Sequence, residues 1–261
     1  MKNEICTIIS NDELVPGTYL MWLDSPEIAR RAQAGQFVMV ACGEETVLRR
    51  PISVHSVDHD KFALLYAVIG KGTEWLTQLK KGSTLDILGP LGNGFTAING
   101  PSGTLSYLMI AGGIGIAPIR YLIEKVKPKC RQIIVLQGTA TAKKLYPKEL
   151  LLPGVSLAMS TEDGTAGHQG LITELVPSFT TTADEIFVCG PMPMLRYMAE
   201  NRKTLKLTDK PVSISLEIRM ACGLGVCYGC TIRTRNGLKQ VCKDGPVFYL
   251  DEVIWDELTR V

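Results

Sequence analysis

SYLMIAGGIGIAPIRYLIEKV, Ser106 to Val126, contains the structural signal from which the rest of the chain can be interpreted. The run SYLMIAGG is short and apolar, as in a buried strand, and PIRYLIEKV then follows with helical periodicity. Between them lies AGGIGIAP, where a glycine turn and a helix N-terminus can hold a pyrophosphate. Its glycines Gly112, Gly113 and Gly115 depart from the G-x-G-x-x-G spacing, so a tight structural turn is an alternative.

The same alternation of strand and helix continues through residues 100–210. RQIIVLQG, VSLAMS and DEIFVCG are predicted strands, and PMPMLRYMAENRK is a predicted helix. Strands that alternate with helices indicate βαβ units with a parallel sheet. We therefore predict a Rossmann-like parallel α/β domain over residues 100–210.

Residues 1–99 show a different pattern, one of short strands. GQFVMVAC, KFALLYAVI and STLDILGPL carry branched and aromatic residues, and turn signals fall at Val15–Gly17, Asp58–Lys61 and Lys80–Ser83. Strands at this spacing predict an N-terminal antiparallel β-barrel. The segment INGPSG, Ile98–Gly103, has the composition of a linker, so the predicted class is a β plus α/β multidomain fold.

Composition excludes several classes of protein. The chain has 261 residues, 46% of them hydrophobic and 21% charged, with a net charge of +2 and no basic tract. Nothing in this balance favours binding to nucleic acid or to a membrane surface. The N-terminus lacks the apolar core of a signal peptide, which predicts a cytoplasmic protein whose thiols stay reduced.

Half of the cysteines lie in one segment, MACGLGVCYGCTIRTRNGLKQVC, Met220 to Cys242. Cys222, Cys227, Cys230 and Cys242 have the spacing C-x4-C-x2-C-x11-C. This order is that of plant-type 2Fe–2S loops, whereas zinc sites usually bring two C-x2-C pairs or added histidines. We predict a 2Fe–2S subdomain over residues 211–261, with zinc and unligated thiols as alternatives. Glycines in the loop are expected to aim backbone N–H groups at the sulfurs.

The other cysteines and the histidines show no such grouping. Cys6, Cys42 and Cys130 are predicted to be small buried hydrophobic residues. His55, His59 and His168 fit no metal or catalytic set and are predicted to face solvent.

Two short motifs in the barrel region have the chemistry to bind a dinucleotide. LRRPISV places Arg49 and Arg50 close to the hydroxyl of Ser53, and GKGT places Thr73 near the start of a predicted helix. An arginine and a helix N-terminus with a hydroxyl can bind a pyrophosphate. A surface salt bridge for each arginine and a helix cap for Thr73 are the structural alternatives.

The order of these motifs gives a family resemblance. R-P-I-S, then G-x-G-T, then G-G-I-G-I-A-P, then C-G-P-M-P-M resembles the ferredoxin reductase superfamily. The sequences MACGLGVCYGC and VCKDGPVF are similar to those of a narrower family, the electron-transfer subunits of dihydroorotate dehydrogenase B, the bacterial NAD-linked form. With them the resemblance covers the whole chain.

The resemblance implies binding residues for two nucleotides. For FAD it implies Arg50, Pro51, Ile52, Ser53, Leu65, Tyr66, Ala67, Gly72 and Thr73. For NAD it implies Gly112, Gly113, Gly115, Cys189, Gly190 and Pro191. Many superfamily members have an aromatic residue where this chain has Ile52, so ring stacking is not expected there. A buried thiol at a strand end is the alternative for Cys189.

The resemblance also implies an electron route and a partner. Electrons would leave dihydroorotate at FMN on a separate catalytic subunit, cross the cluster of this chain, reach FAD and reduce NAD+, in pyrimidine biosynthesis. The expected assembly is a heterotetramer with two copies of each chain. The alternatives are an NAD(P)H–ferredoxin reductase, a sulfhydrogenase-type flavoprotein subunit and a zinc-stapled nucleotide-binding regulator. NAD is expected over NADP, because Ser160 is followed by Glu162 and Asp163 without an arginine.

Overall fold

The computed structural model describes residues 2–98 and 100–258. The outermost positions of the predicted domains and Asn99 of the predicted linker lie outside the described residues. Among the helices of the described ranges, none has the length and apolar content that crossing a bilayer requires.

The N-terminal part is a closed antiparallel barrel, as the sequence predicts. Its strands follow the order β1–β2–β5–β4–β3–β6 around the barrel. Their bounds are β1 Lys2–Val15, β2 Thr18–Asp24, β3 Phe37–Val40, β4 Arg50–Asp58, β5 Lys61–Ala67 and β6 Thr84–Leu91. Helix α1, Pro26–Arg31, follows β2, and helix α2, Lys71–Thr77, follows β5. The predicted turns fall at strand ends. Apolar side chains that alternate along the strands fill the barrel interior.

The following part of the chain is the predicted parallel α/β structure. Its strands are β7 Ser106–Gly112, β8 Gln132–Thr139, β9 Ser156–Thr161, β10 His168–Gln169, β11 Glu185–Cys189 and β12 Val212–Ser215. The helices are α3 Ile116–Val126, α4 Val176–Phe179 and α5 Met192–Glu200. The sheet order β10–β9–β8–β7–β11–β12 reverses direction between β7 and β11. Ligands of such sheets bind outside the carboxyl ends of the strands at this switch point.

The C-terminal segment continues the same sheet. Strands β13 Thr231–Thr234 and β14 Gly237–Gln240 form a hairpin, helix α6 is Val241–Asp244, and strand β15 is Val247–Tyr249. Strand β15 pairs antiparallel with β12 and completes the edge of the sheet. The cysteine segment is therefore held between two strands of the α/β sheet, and its predicted boundary at residue 211 stays a prediction.

Two predictions about single residues are wrong. His55 does not face solvent: it is 3% exposed, because β4 packs its face against α3 of the α/β part. Cys130 is only half-buried, since it lies just beyond the last turn that follows α3. Cys6 and Cys42 are buried as predicted, and His59 is exposed.

Candidate functional site

A cavity of about 690 Å³ opens between the barrel and the carboxyl edge of the sheet, and we call it the barrel cleft. It is lined by every residue predicted for FAD, namely Arg50, Pro51, Ile52, Ser53, Leu65, Tyr66, Ala67, Gly72 and Thr73. The α/β part supplies the opposite wall through Ile114, Ala117 and residues 215–220. The motifs that lie apart in the sequence thus meet in one elongated cavity.

The two adjacent arginines of the barrel cleft have different surroundings. The Arg49 guanidinium bonds the Asp86 carboxylate at 2.6 Å and also donates to the Asp86 carbonyl oxygen at 3.1 Å. Arg50 donates to the Leu48 carbonyl, and within residues 2–98 and 100–258 it has no acidic partner. The Arg49 charge is therefore neutralised by Asp86 within the barrel, whereas the Arg50 charge remains available to an anion in the cleft.

The start of α2 lies beside the Arg50 guanidinium. A Cβ atom at Gly72 would lie 3.0 Å from Arg50 Nε, so only glycine lets the arginine lie over this turn without displacement. The Thr73 hydroxyl accepts from Ile69 N at 2.9 Å and donates to the Gly70 carbonyl at 3.0 Å. These bonds show the capping role that was the alternative for Thr73, and they shape the turn on which Gly72 lies.

The strand wall of the barrel cleft is built from β4 and β5. Ile52 is buried, and Ser53 is half-buried at the cleft. The Tyr66 hydroxyl donates to Asn11 Oδ1 at 3.0 Å, and its ring stacks on Tyr19 with centroids 5.7 Å apart. Its polar end is therefore engaged inside the barrel, and burial raises the pKa of Tyr66.

A second cavity, of about 570 Å³, lies at the switch point, and we call it the sheet cleft. Gly112, Gly113 and Pro191 of the predicted NAD residues line it. Gly115, Cys189 and Gly190 lie outside its lining. A Cβ atom at Gly115 would lie 2.1 Å from the Cys189 carbonyl oxygen, so these residues bring two backbones together rather than facing the cavity.

The far end of the sheet cleft carries the residues on which the NAD preference rests. Ser160 and Glu162 line the cleft, and the buried Ser160 hydroxyl has no partner among the described residues. Asp163 instead accepts from the Thr165 N–H at 3.0 Å and from its hydroxyl at 2.6 Å. These two bonds lower the pKa of Asp163 and tie it into its own turn. Of the two carboxylates, Glu162 is the one that lines the sheet cleft.

The two clefts share two lining residues, Ile114 and Glu217. Glu217 follows the end of β12, and its exposed surface lines both cavities. The Cys189 thiol donates to Glu217 Oε1 at 3.5 Å. Desolvation of the carboxyl between the two cleft walls raises the pKa of Glu217, and burial raises the pKa of the Cys189 thiol. Glu217 is not among the residues predicted from the sequence, although its place after a parallel strand at the carboxyl edge of the sheet is a usable signal.

Backbone N–H groups surround the four clustered sulfurs. Cys222 Sγ accepts from Leu224 N at 3.3 Å, and Cys242 Sγ accepts from Gly225 N at 3.2 Å. Cys227 Sγ accepts from Gly229 N at 3.5 Å, and Cys230 Sγ accepts from Cys242 N at 3.4 Å. Such bonds stabilise thiolates, the form in which cysteine binds a metal.

The four thiols lie close enough to influence one another electrostatically. Burial by itself raises the pKa of the Cys222 thiol. Backbone N–H donors and the Cys227 side chain outweigh this effect and lower the pKa to about 6. Burial and the Cys230 thiol raise the pKa of Cys242 to about 12. Within residues 2–98 and 100–258, no three ligating side chains converge on one ion. The cysteine spacing and the N–H donors to all four sulfurs fit a 2Fe–2S cluster better than they fit one zinc ion.

The cysteine loop is fixed directly onto the barrel. Gly223 has φ +71°, and a Cβ atom there would lie 2.5 Å from Met39 Cγ on β3. Met220, which lines the barrel cleft, precedes Cys222 by two residues. Because two residues span at most about 7 Å, the cluster segment begins at the wall of the barrel cleft.

Comparison with known proteins adds the family. Residues 217–254 match the family model of the iron–sulfur cluster binding domain of dihydroorotate dehydrogenase B, and residues 109–200 match that of the oxidoreductase NAD-binding domain. A dihydroorotate dehydrogenase B (NAD(+)) electron transfer subunit from Caldanaerobacter subterraneus is 36% identical over 95% of this chain and 97% of its own. The chain belongs to this family. The subunit of the same description from Desulforamulus reducens is 38% identical over 93% of this chain and 95% of its own.

Solved structures agree with this membership. An NADH-dependent reduced ferredoxin–NADP oxidoreductase, described for flavin-based electron bifurcation, superposes with a TM-score of 0.85 at 27% identity, over 98% of this chain and 91% of that chain. The ferredoxin reductase of carbazole 1,9a-dioxygenase, at 17% identity and a TM-score of 0.68, covers 82% of this chain and 68% of its own and shares the fold.

Several of the predictions are confirmed by these similarities. The fold class, the electron-transfer function and the flavin, iron–sulfur and nicotinamide cofactors are confirmed, and an electron transfer subunit implies a catalytic partner subunit. The zinc-stapled regulator is not supported. The individual binding residues and the domain boundaries stay predictions.

The cluster assignment predicts about two irons and about two acid-labile sulfides per chain. Changing any of the four cysteines to serine is expected to remove the cluster while FAD remains bound, because the FAD residues lie on the barrel. Cys130→Ser, outside the cysteine loop, is the control and is expected to keep all the iron. Iron analysis and the visible spectrum measure both, and a Cys242→Ser protein with unchanged iron would disprove the fourth ligand.

The unequal surroundings of the two arginines predict unequal effects on flavin binding. Arg50→Ala removes a charge-assisted bond to the diphosphate, so FAD is expected to bind more weakly by about 1.5–3 kcal/mol. Arg49→Ala is expected to lower the melting temperature through loss of the Asp86 ion pair, with a smaller change in FAD affinity. Flavin fluorescence titration measures the affinity, and equal weakening in both variants contradicts the assignment.

The charge of the sheet cleft predicts a preference for NADH over NADPH of at least about tenfold in kcat/KM, or about 1.4 kcal/mol. Glu162 repels a 2′-phosphate, and no cation lines this cleft among the described residues. Glu162→Gln is expected to reduce the preference, and Asp163→Asn, with its carboxylate bound in its own turn, to leave it unchanged. Dye-linked oxidation of both nucleotides measures the ratio; equal kcat/KM values for the native chain contradict the prediction.

Proposed function

We propose that this chain carries electrons from an FMN-containing dihydroorotate dehydrogenase subunit through a 2Fe–2S cluster and FAD to NAD+, in pyrimidine biosynthesis. The observation that supports it is one continuous segment, residues 215–222. This segment follows β12, supplies Glu217 to both clefts, lines the barrel cleft as far as Met220 and reaches the first cluster cysteine. The three cofactor sites are therefore neighbours along a short stretch of backbone.

FAD exchanges electron pairs with NAD and single electrons with the cluster when both are bound. The residues of the chain bind and orient these groups. The barrel cleft carries cations, among them Arg50, Lys71 and Arg219, which favour a diphosphate. The Glu217 carboxyl lies at the place where the two clefts meet. The protein thereby supplies position and charge.

The cysteine loop also offers a surface for the partner. Val226 and Tyr228 are 70% and 71% exposed, and Cys227 between them is exposed as well. Tyr228 has φ +58°, a conformation that costs a non-glycine residue roughly 1–2 kcal/mol. Exposed apolar side chains beside a cluster fit a docking surface that excludes water. We propose that the FMN subunit docks here, in a cytoplasmic heterotetramer with two copies of each chain.

Reconstitution tests the division of labour. The isolated chain is expected to oxidise NADH with dyes but not to oxidise dihydroorotate. With the FMN subunit it is expected to reduce NAD+ in a dihydroorotate-dependent reaction. Val226→Asp is expected to abolish the coupled reaction and to spare the dye reaction, because it places a charge in the contact. Ile5→Asp, at a similarly exposed position on β1, is the control.

Two results contradict the proposal. Oxidation of dihydroorotate by the isolated chain would remove the need for the partner, and equal coupled rates for Val226→Asp and the native chain would remove the docking surface. A ferredoxin reductase is the second candidate, because the ferredoxin–NADP oxidoreductase superposes over nearly the whole chain. Rapid reduction of free ferredoxin by NADH without an FMN subunit favours it.

A further inference from the structure

A buried histidine joins the barrel to the α/β part. His55 Nδ1 lies 3.1 Å from the Ala117 carbonyl oxygen, and Nε2 lies 3.1 Å from the Tyr146 hydroxyl. The imidazole and the Tyr146 ring meet edge to face, with centroids 5.5 Å apart. Both side chains are buried, and neither lines the barrel cleft or the sheet cleft. The binding of the cofactors gives this pair no role.

The two contacts define the state of the imidazole. A carbonyl oxygen only accepts, so the hydrogen-bond network assigns the proton to Nδ1 and lets Nε2 accept from the Tyr146 hydroxyl. A neutral ring satisfies both contacts. Burial lowers the pKa of His55 to about 3, so the ring stays neutral near pH 7. His55 is therefore a fixed connector and not an acid or base.

The connector lies between the walls of the two clefts. Ser53, two residues earlier on β4, lines the barrel cleft, and His55 lies at a register irregularity of β4 between Val54 and Ser56. Ala117 lines the same cleft from the first turn of α3. That turn follows directly on the glycine loop at Gly112 and Gly113 that lines the sheet cleft. One imidazole thus ties the flavin wall to the helix that begins at the nicotinamide site.

We propose that His55 and Tyr146 are positioning residues that set the distance between the flavin in the barrel cleft and the nicotinamide in the sheet cleft. This inference rests on the proposed function. Hydride transfer requires the reacting atoms within about 3–3.5 Å, and a misplacement of 1 Å can cost on the order of 100-fold in rate. A neutral ring with one donor and one acceptor holds α3 at a defined distance from β4 without burying a charge.

The same interface contains a matched control. Ser56, the next residue on β4, donates to Glu124 Oε2 at 2.8 Å. Glu124 also pairs with Arg120 at 3.1 Å. This contact holds α3 to the barrel two turns beyond Ala117, away from both clefts. If these contacts only held the barrel and the α/β part together, removing either contact would slow hydride transfer to the same extent.

The experiment compares His55→Phe, Tyr146→Phe and Ser56→Ala in the FAD-loaded full-length chain. Stopped-flow mixing with NADH is expected to show hydride transfer slowed about tenfold or more in the first two variants. The FAD content and the Kd for NADH are expected to stay within about threefold of the native values. Ser56→Ala is expected to transfer hydride within about twofold of the native rate.

Hydrogen exchange gives a readout that does not depend on activity. His55→Phe and Tyr146→Phe are expected to speed amide exchange at the start of α3, near residues 116–120, whereas Ser56→Ala acts nearer Glu124. Tyr146→Phe removes only a hydroxyl, so it keeps the test decisive if His55→Phe does not fold. Native hydride transfer in a folded Tyr146→Phe protein, or equal slowing in Ser56→Ala, overturns the inference. Failure of the native chain to transfer hydride from NADH overturns the proposed function instead.

Discussion

The contact between Gly115 and the Cys189 carbonyl is the constraint on which the rest of the site depends. Any side chain at Gly115 would collide with that carbonyl and with the Gly190 N–H, so two backbones must touch there. This contact brings the start of α3 against the end of β11, at the point where the sheet order reverses. It places Pro191 in the sheet cleft and turns the Cys189 thiol toward Glu217. The remaining walls follow from these positions.

The two clefts that meet at Glu217 differ in charge. The barrel cleft is lined by several cations, whereas the charged residues lining the sheet cleft are Glu162 and Glu217. The cations of the barrel cleft favour a diphosphate, and the carboxylates of the sheet cleft disfavour a 2′-phosphate. Because FAD and NAD both carry a diphosphate and lack a 2′-phosphate, the charge of the sheet cleft bears on NAD against NADP and not on FAD against NAD.

The barrel, the parallel sheet and the cysteine loop can be predicted from the sequence, because each has a local signature. Strand periodicity, turn residues and cysteine spacing are short-range properties of the chain. The burial of His55 is not a local property, because it depends on which face of β4 meets a helix more than sixty residues later. Glu217 was missed for the same reason: a single glutamate acquires meaning only when two cavities converge on it. The difference between Arg49, which is ion-paired, and Arg50, which is not, likewise depends on Asp86 on another strand.

The pairing of β15 with β12 encloses the cysteine segment in a loop between two paired strands. Ser213 pairs with Tyr249, and the stretch between them contains all four clustered cysteines. Closing so long a loop costs entropy, which cross-links made within the loop reduce. A cluster held by these four cysteines would shorten the loop between β12 and β15, so it would stabilise the sheet edge as well as carry electrons.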